Sequence, residues 1–135
     1  MISSTCNKWI QSARQDFIVI DSITSYISIS RKRPNGQILY HCQQAVEKML
    51  KAFLVNNNIN PWGHDLIALC TSCANINNSF SNKRIINHCA YLSSFNPARY
   101  PDFNTVCINA KNAERGINSA KRVFDFVCKM LGLTN

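Results

Sequence analysis

Between Tyr40 and Leu54, two adjacent amides (Gln43, Gln44), a carboxylate (Glu47) and two ammonium groups (Lys48, Lys51) are set into an apolar series. Further along, Arg99-Tyr100-Pro101 puts a cation, an aromatic ring and a rigid bend in one short run. This is the chemistry of holding an anion. Lys48 and Lys51 stand one helical step apart, so their ammonium groups make a patch that suits a phosphate. The expected groove is lined by Lys48, Lys51, Arg99 and Tyr100, with His64 near its rim, and its ligand is a nucleotide or RNA. Each of these residues also has a plainer role. Arg99 can pin its loop to Glu47 or Asp65 through a bidentate ion pair, with Tyr100 packed beneath it. Glu47 can be the buried counter-ion of Arg99 or a solvated partner of Lys48. His64 fits a hydrogen-bonding position at a helix start.

Other chemistries are less well supplied. Cys70-x-x-Cys73 has the spacing of a zinc knuckle, and His88-Cys89 follows it. Yet the pair falls inside an apolar helical stripe, where cysteines act as small buried hydrophobes, so no metal site is expected. The sequence has no nucleophile elbow, no glycine-rich phosphate loop and no closely spaced carboxylate pair. Only 7 acidic residues are present in all, too few to assemble a multi-carboxylate magnesium site readily. No cofactor is expected. One catalytic alternative remains. Arg84 and His88 share a helical face, where an arginine could stabilise a phosphorane and a histidine could shuttle protons.

The 15 basic residues leave a net charge of +8, an imbalance that favours a polyanionic partner. Basic residues cluster at Arg31-Lys32-Arg33, at Lys83-Arg84 and at Lys121-Arg122. Aromatic interleaving is thin, limited to Tyr40, Tyr100 and Trp62. Phosphate recognition is therefore better supported than base-specific reading. A length of 135 residues is that of a single domain, 1–135. The N-terminus lacks the basic start and apolar core of a signal peptide, and no apolar run reaches membrane-spanning length. Seven scattered cysteines, odd in number, fit a reducing compartment. The expectation is a soluble cytoplasmic protein.

These groups must be carried by helices. Trp9, Ala13, Phe17, Ile20, Ile23 and Ile27 mark the buried stripe of a first helix, capped by Thr5 and running to about residue 30. A second spans about 37–55, with Leu39, Cys42, Val46, Met49, Leu50 and Phe53 on one face. A third begins near His64-Asp65, where Asp65 meets the positive end of the helix dipole. A fourth starts at Ser81 or Asn82 and turns Ile85, Cys89 and Leu92 inward. The prolines between Phe95 and Phe103 exclude regular helix. The last helix alternates steps of four and three through Val106, Ala110, Ala113, Ile117, Ala120, Phe124, Val127 and Leu131. No strand pattern interrupts this series. The expected fold is all-α, an up-and-down antiparallel bundle of four to five helices.

Several of these residues, in this order, resemble the HEPN family of small helical bundles. They are Trp9, Ala13 and Asp16, then Gln43-Gln44-Ala45-Val46-Glu47-Lys48 with Leu50-Lys51-Ala52, then His64-Asp65-Leu66 and Leu69. Tyr91 and Arg99-Tyr100-Pro101 complete the set. The resemblance covers nearly the whole chain. It implies a non-catalytic module that binds a nucleotide or nucleic acid, a homodimer, and a separate minimal nucleotidyltransferase as partner. Many HEPN proteins are instead metal-independent endoribonucleases, some of them toxins of toxin–antitoxin pairs, built on an arginine and a following histidine. Here no histidine follows Arg99 closely, and the spacing of Arg84 and His88 departs from that motif. The resemblance thus implies the Arg-Tyr-Pro-containing, non-nuclease type, with the endoribonuclease as the alternative.

Overall fold

Apolar residues recur at helical spacing along almost the whole chain, and helices follow. The computed structural model describes residues 1–28, 32–95 and 108–133. These form α1 (Ser4–Tyr26), α2 (Asn35–Asn56), α3 (Leu66–Ile76), α4 (Lys83–Ser93) and α5 (Ala110–Met130), with a 3₁₀ turn at Asn78–Ser81. There is no strand among the described residues. The fold is the expected all-α bundle.

Its axis is α2, which buries residues on most of its sides, among them Ile38, Leu39, Val46, Met49, Leu50 and Phe53, and packs on all four other helices. The backbone N–H of Ser3 donates to Asn56 Oδ1 at 2.9 Å, tying the start of α1 to the end of α2, so the two run antiparallel. Helices α4 and α5 also run antiparallel, since His88 meets Ser119 while Tyr91 meets Asn112. Phe80, on the 3₁₀ turn, has ring centroids 4.6 Å from Phe53 and 5.0 Å from Phe126, and closes the end of the core.

The helix ends differ from expectation by a few residues, each for a local reason. Ser3, not Thr5, caps α1: its backbone is extended and its hydroxyl accepts from the Cys6 N–H at 3.0 Å. Helix α1 stops at Tyr26, short of residue 30, and the Arg33 guanidinium donates to the carbonyls of Ile27 and Thr24. Asp65 caps α3 outright, accepting from the N–H groups of Ile67 and Ala68 at 3.0 and 3.2 Å. The abundant asparagines find work here. Asn77, Asn82 and Asn109 start the 3₁₀ turn, α4 and α5, and Asn109 forms a reciprocal capping box with Asn112.

Helix α5 packs on a face rotated slightly from the expected seam. Its buried residues are Ala113, Gly116, Ser119, Ala120, Val123, Val127 and Cys128, whereas Ile117 and Phe124 are only partly covered. The rotation follows from Gly116. A Cβ there would overlap the Leu39 Cδ2 methyl and sit 3.6 Å from Leu92 Cδ2. Leu39 and Leu92 are themselves fully buried and have little room to move. The missing side chain is what lets α5 approach α2 closely. Gly116→Val should therefore cost about 1–3 kcal/mol through overpacking, read as a lower denaturation midpoint.

Candidate functional site

Two polar zones stand out, and they differ in whether their charges are already matched. The first runs between α1 and α2. Asp16, buried on α1, accepts from Lys48 Nζ at 2.7 Å and lies 2.8 Å from His41 Nδ1. Next to Lys48 on α2, Glu47 accepts from Lys51 Nζ at 3.1 Å and lies 3.1 Å from His64 Nδ1. The Lys51 ammonium also lies 5.5 Å from the centroid of the Trp9 ring. Glu47 and Lys51 are each only 6 % exposed.

The structure therefore brings Lys51 and His64 together on Glu47 and sends Lys48 to Asp16. Arg99 and Tyr100 lie outside the described residues, as does Val106. In this zone each lysine is committed to a carboxylate, Lys48 to one on the neighbouring helix and Lys51 to one on its own.

The second zone is a cleft of about 550 Å³ between α4 and α5. From α4 come Arg84, Asn87, His88 and Tyr91, at spacings that share one helical face. From α5 come Arg115, Asn118, Ser119 and Arg122, again a single stripe. No carboxylate among the described residues lines the cleft. Among the described residues none of the three guanidiniums makes an ion pair. Arg115 instead lies over Tyr91, its guanidinium carbon 4.0 Å from the ring centroid. The Tyr91 hydroxyl in turn donates to the Asn112 carbonyl at 3.3 Å, and its ring meets Phe95 edge-on at 5.1 Å.

His88 sits at the base of this cleft with Nδ1 2.9 Å from Ser119 Oγ. Its pKa is lowered from the ordinary 6.5, first by burial and then by the positive charges of Arg122 and Arg115. The imidazole is accordingly neutral at neutral pH. Three cations surround a neutral hydrogen-bonding ring, with no anion among the described lining residues.

The cysteines do not compete for this role. Cys70 Sγ and Cys73 Sγ face the carbonyls of Phe80 and Leu50 inside the core. Burial pushes the Cys42 and Cys73 thiols up to about 12. Cys89 is raised as well, chiefly by its hydrogen bond with Cys70. Cys70 is instead lowered by its hydrogen bond with Cys89, while Cys42, Cys73 and Cys89 stay protonated, and a protonated thiol is neither the nucleophile nor the metal ligand that a thiolate is.

Sequence reasoning had paired Arg84 with His88, and both line the cleft. It had not connected them to Tyr91, Arg115, Ser119 or Arg122. The signal was present in the steps of four and three from Arg115 to Ser119 to Arg122, a cationic stripe beside the apolar seam of α5.

The described residues form a bundle of five helices with an arginine-lined cleft between α4 and α5. The HEPN domain family model matches residues 7–131, and the chain belongs to that family. No curated protein and no solved structure matches it. Membership supports, at the level of the family, a helical module with a nucleotide- or RNA-related role. Among the described residues no helix is long and apolar enough to cross a membrane.

Proposed function

We propose that this HEPN domain binds phosphate groups of a nucleotide or RNA in the α4–α5 cleft. The observation that carries the reading is the meeting of Arg84, Arg115, Arg122 and His88 in one cleft that no carboxylate enters among the described residues. Guanidinium groups match phosphate oxygens bidentately, and the planar fork of Arg115 is already ordered by Tyr91. The α2 lysines contribute less to such binding, because Lys48 and Lys51 already neutralise Asp16 and Glu47.

Fluorescence anisotropy of a short labelled RNA, repeated across a salt series, tests the proposal. Three phosphate contacts on a single strand would give a slope of log affinity against log salt of about −2. A slope near zero, or no binding at low salt, would sink the reading.

The second reading is a metal-independent endoribonuclease, favoured by the presence of Arg84 and His88 on the same wall of the cleft. The discriminating measurement uses the same RNA incubated with the protein in a chelator. Intact RNA supports the binding module. Cleavage that disappears in His88→Ala supports the nuclease.

A further inference from the structure

Ser119 is one of several hydroxyl residues inside helices of this protein, and four of the others use their hydroxyl differently. Ser22, Thr24, Thr71 and Ser72 each donate to the backbone carbonyl four residues earlier, the ordinary use of such a hydroxyl. Ser119 makes no such bond among the described residues. Its Oγ faces His88 Nδ1 at 2.9 Å, and the side chain is 2 % exposed, cut off from water. A buried hydroxyl must place its proton on an acceptor or bear the cost of leaving it unmatched. Nδ1 is the acceptor within reach.

We infer that Ser119 is a positioning residue: it donates to His88 Nδ1 and so fixes the imidazole as the Nε2–H tautomer, with that N–H presented to the α4–α5 cleft. The inference rests on the reading of the cleft as a phosphate receptor and gives it a sharper form. The groups facing His88 are Arg84 and Tyr91 from its own helix and Arg115, Ser119 and Arg122 from α5. With its charged form disfavoured by burial and by two of those guanidiniums, the ring offers the cleft a neutral donor.

Its one lone pair is engaged by Ser119 and points away from any ligand. A ring held this way can hydrogen-bond a phosphate oxygen, but it cannot remove a proton from a ribose 2′-hydroxyl, because that step needs an unprotonated nitrogen facing the substrate. Ser119 thereby makes the cleft a receptor for oxyanions and withholds the general base on which a ribonuclease would depend.

The test begins with the ligand-free protein. In histidine-labelled ¹⁵N protein at mildly alkaline pH, two-bond ¹H–¹⁵N correlations show which ring nitrogen carries the proton. The expected result is a single Nε2–H form for His88 in the wild type and a mixture of tautomers in Ser119→Ala. A wild-type His88 in the Nδ1–H form overturns the inference, as does a tautomer unchanged in Ser119→Ala. Alanine is well tolerated in a helix, and the circular dichroism spectrum verifies that the variant is folded. Titration with inorganic phosphate then reads the consequence. Loss of one well-placed hydrogen bond should weaken binding about five-fold in Ser119→Ala. If the wild type shows the Nε2–H form but binds no phosphate, the receptor reading falls while the control of His88 by Ser119 stands.

Discussion

Replacing Arg84 and Arg122 together with alanine is expected to lower affinity for phosphate or a short RNA by two to four orders of magnitude. Each guanidinium that donates to a phosphate oxygen contributes about 1.5–3 kcal/mol, so two contribute about 3–6 kcal/mol. The loss should not come with unfolding. Among the described residues neither arginine makes an ion pair, and removing two of several crowded positive charges relieves repulsion. Isothermal titration with inorganic phosphate, paired with thermal melts at low salt, separates the two effects. Undiminished affinity in a folded double variant would locate the binding surface elsewhere.

The same substitution should be visible in the titration of His88. Its pKa is held below 6.5 by burial and by Arg122 and Arg115, so removing Arg122 moves it upward while burial keeps it below the ordinary value. The sign for stability follows. Because the folded pKa is lowered, the unfolded chain binds more protons in the window between the two values. Stability therefore declines as pH falls through 6.5 towards the folded pKa, and is undiminished above 6.5. A bound phosphate opposes the shift by stabilising the imidazolium.

The second large effect belongs to Glu47. Glu47→Ala would leave the Lys51 ammonium buried beside Trp9 with no carboxylate, and breaking such a pair from one side costs about 3–5 kcal/mol. That is a large share of the stability of a domain of this size. Urea denaturation reads the loss. The pair itself is not indispensable, since matched apolar residues can replace both partners. The double variant Glu47→Leu/Lys51→Met should recover most of the stability. It should also keep its affinity for RNA. Loss of binding in that stable double variant would return Lys51 to the ligand site proposed from the sequence.

The contrast between Lys51 and Arg115 shows where sequence reading works and where it stops. Helices α2 and α5 were legible because periodicity is local: Cys42, Val46, Met49 and Phe53 announce their face without reference to any other segment. Their exact burial was less so. Gly116 and Ser119 carry no hydrophobic signal, yet they define the face on which α5 packs, because closeness to Leu39 and His88 decides it. Charges were read with the same limitation. Lys48 and Lys51 look like a free cationic patch when α2 is viewed alone. Their carboxylates lie on α1, at Asp16, and on the same helix, at Glu47, where burial by Trp9 turns a surface pair into an internal one. Arg84 and His88 were found because one helix holds both. Arg115 and Arg122 join them only through the packing of α4 on α5, which no local pattern encodes.

The position of α2 bears on how the molecule can come apart. Every other helix rests against it, so withdrawing α2 removes the support of all four at once. Opening that exposes α2 must then approach global unfolding, and its backbone amides belong to the slowest-exchanging class. The wall formed by α4 is held differently, resting chiefly on α3 and α5. A cleft bounded by that wall can breathe without the whole bundle letting go. An anion bridging α4 and α5 would close off this partial opening first, so that occupancy of the cleft is written into the mobility of one edge of the domain while its centre is unaffected.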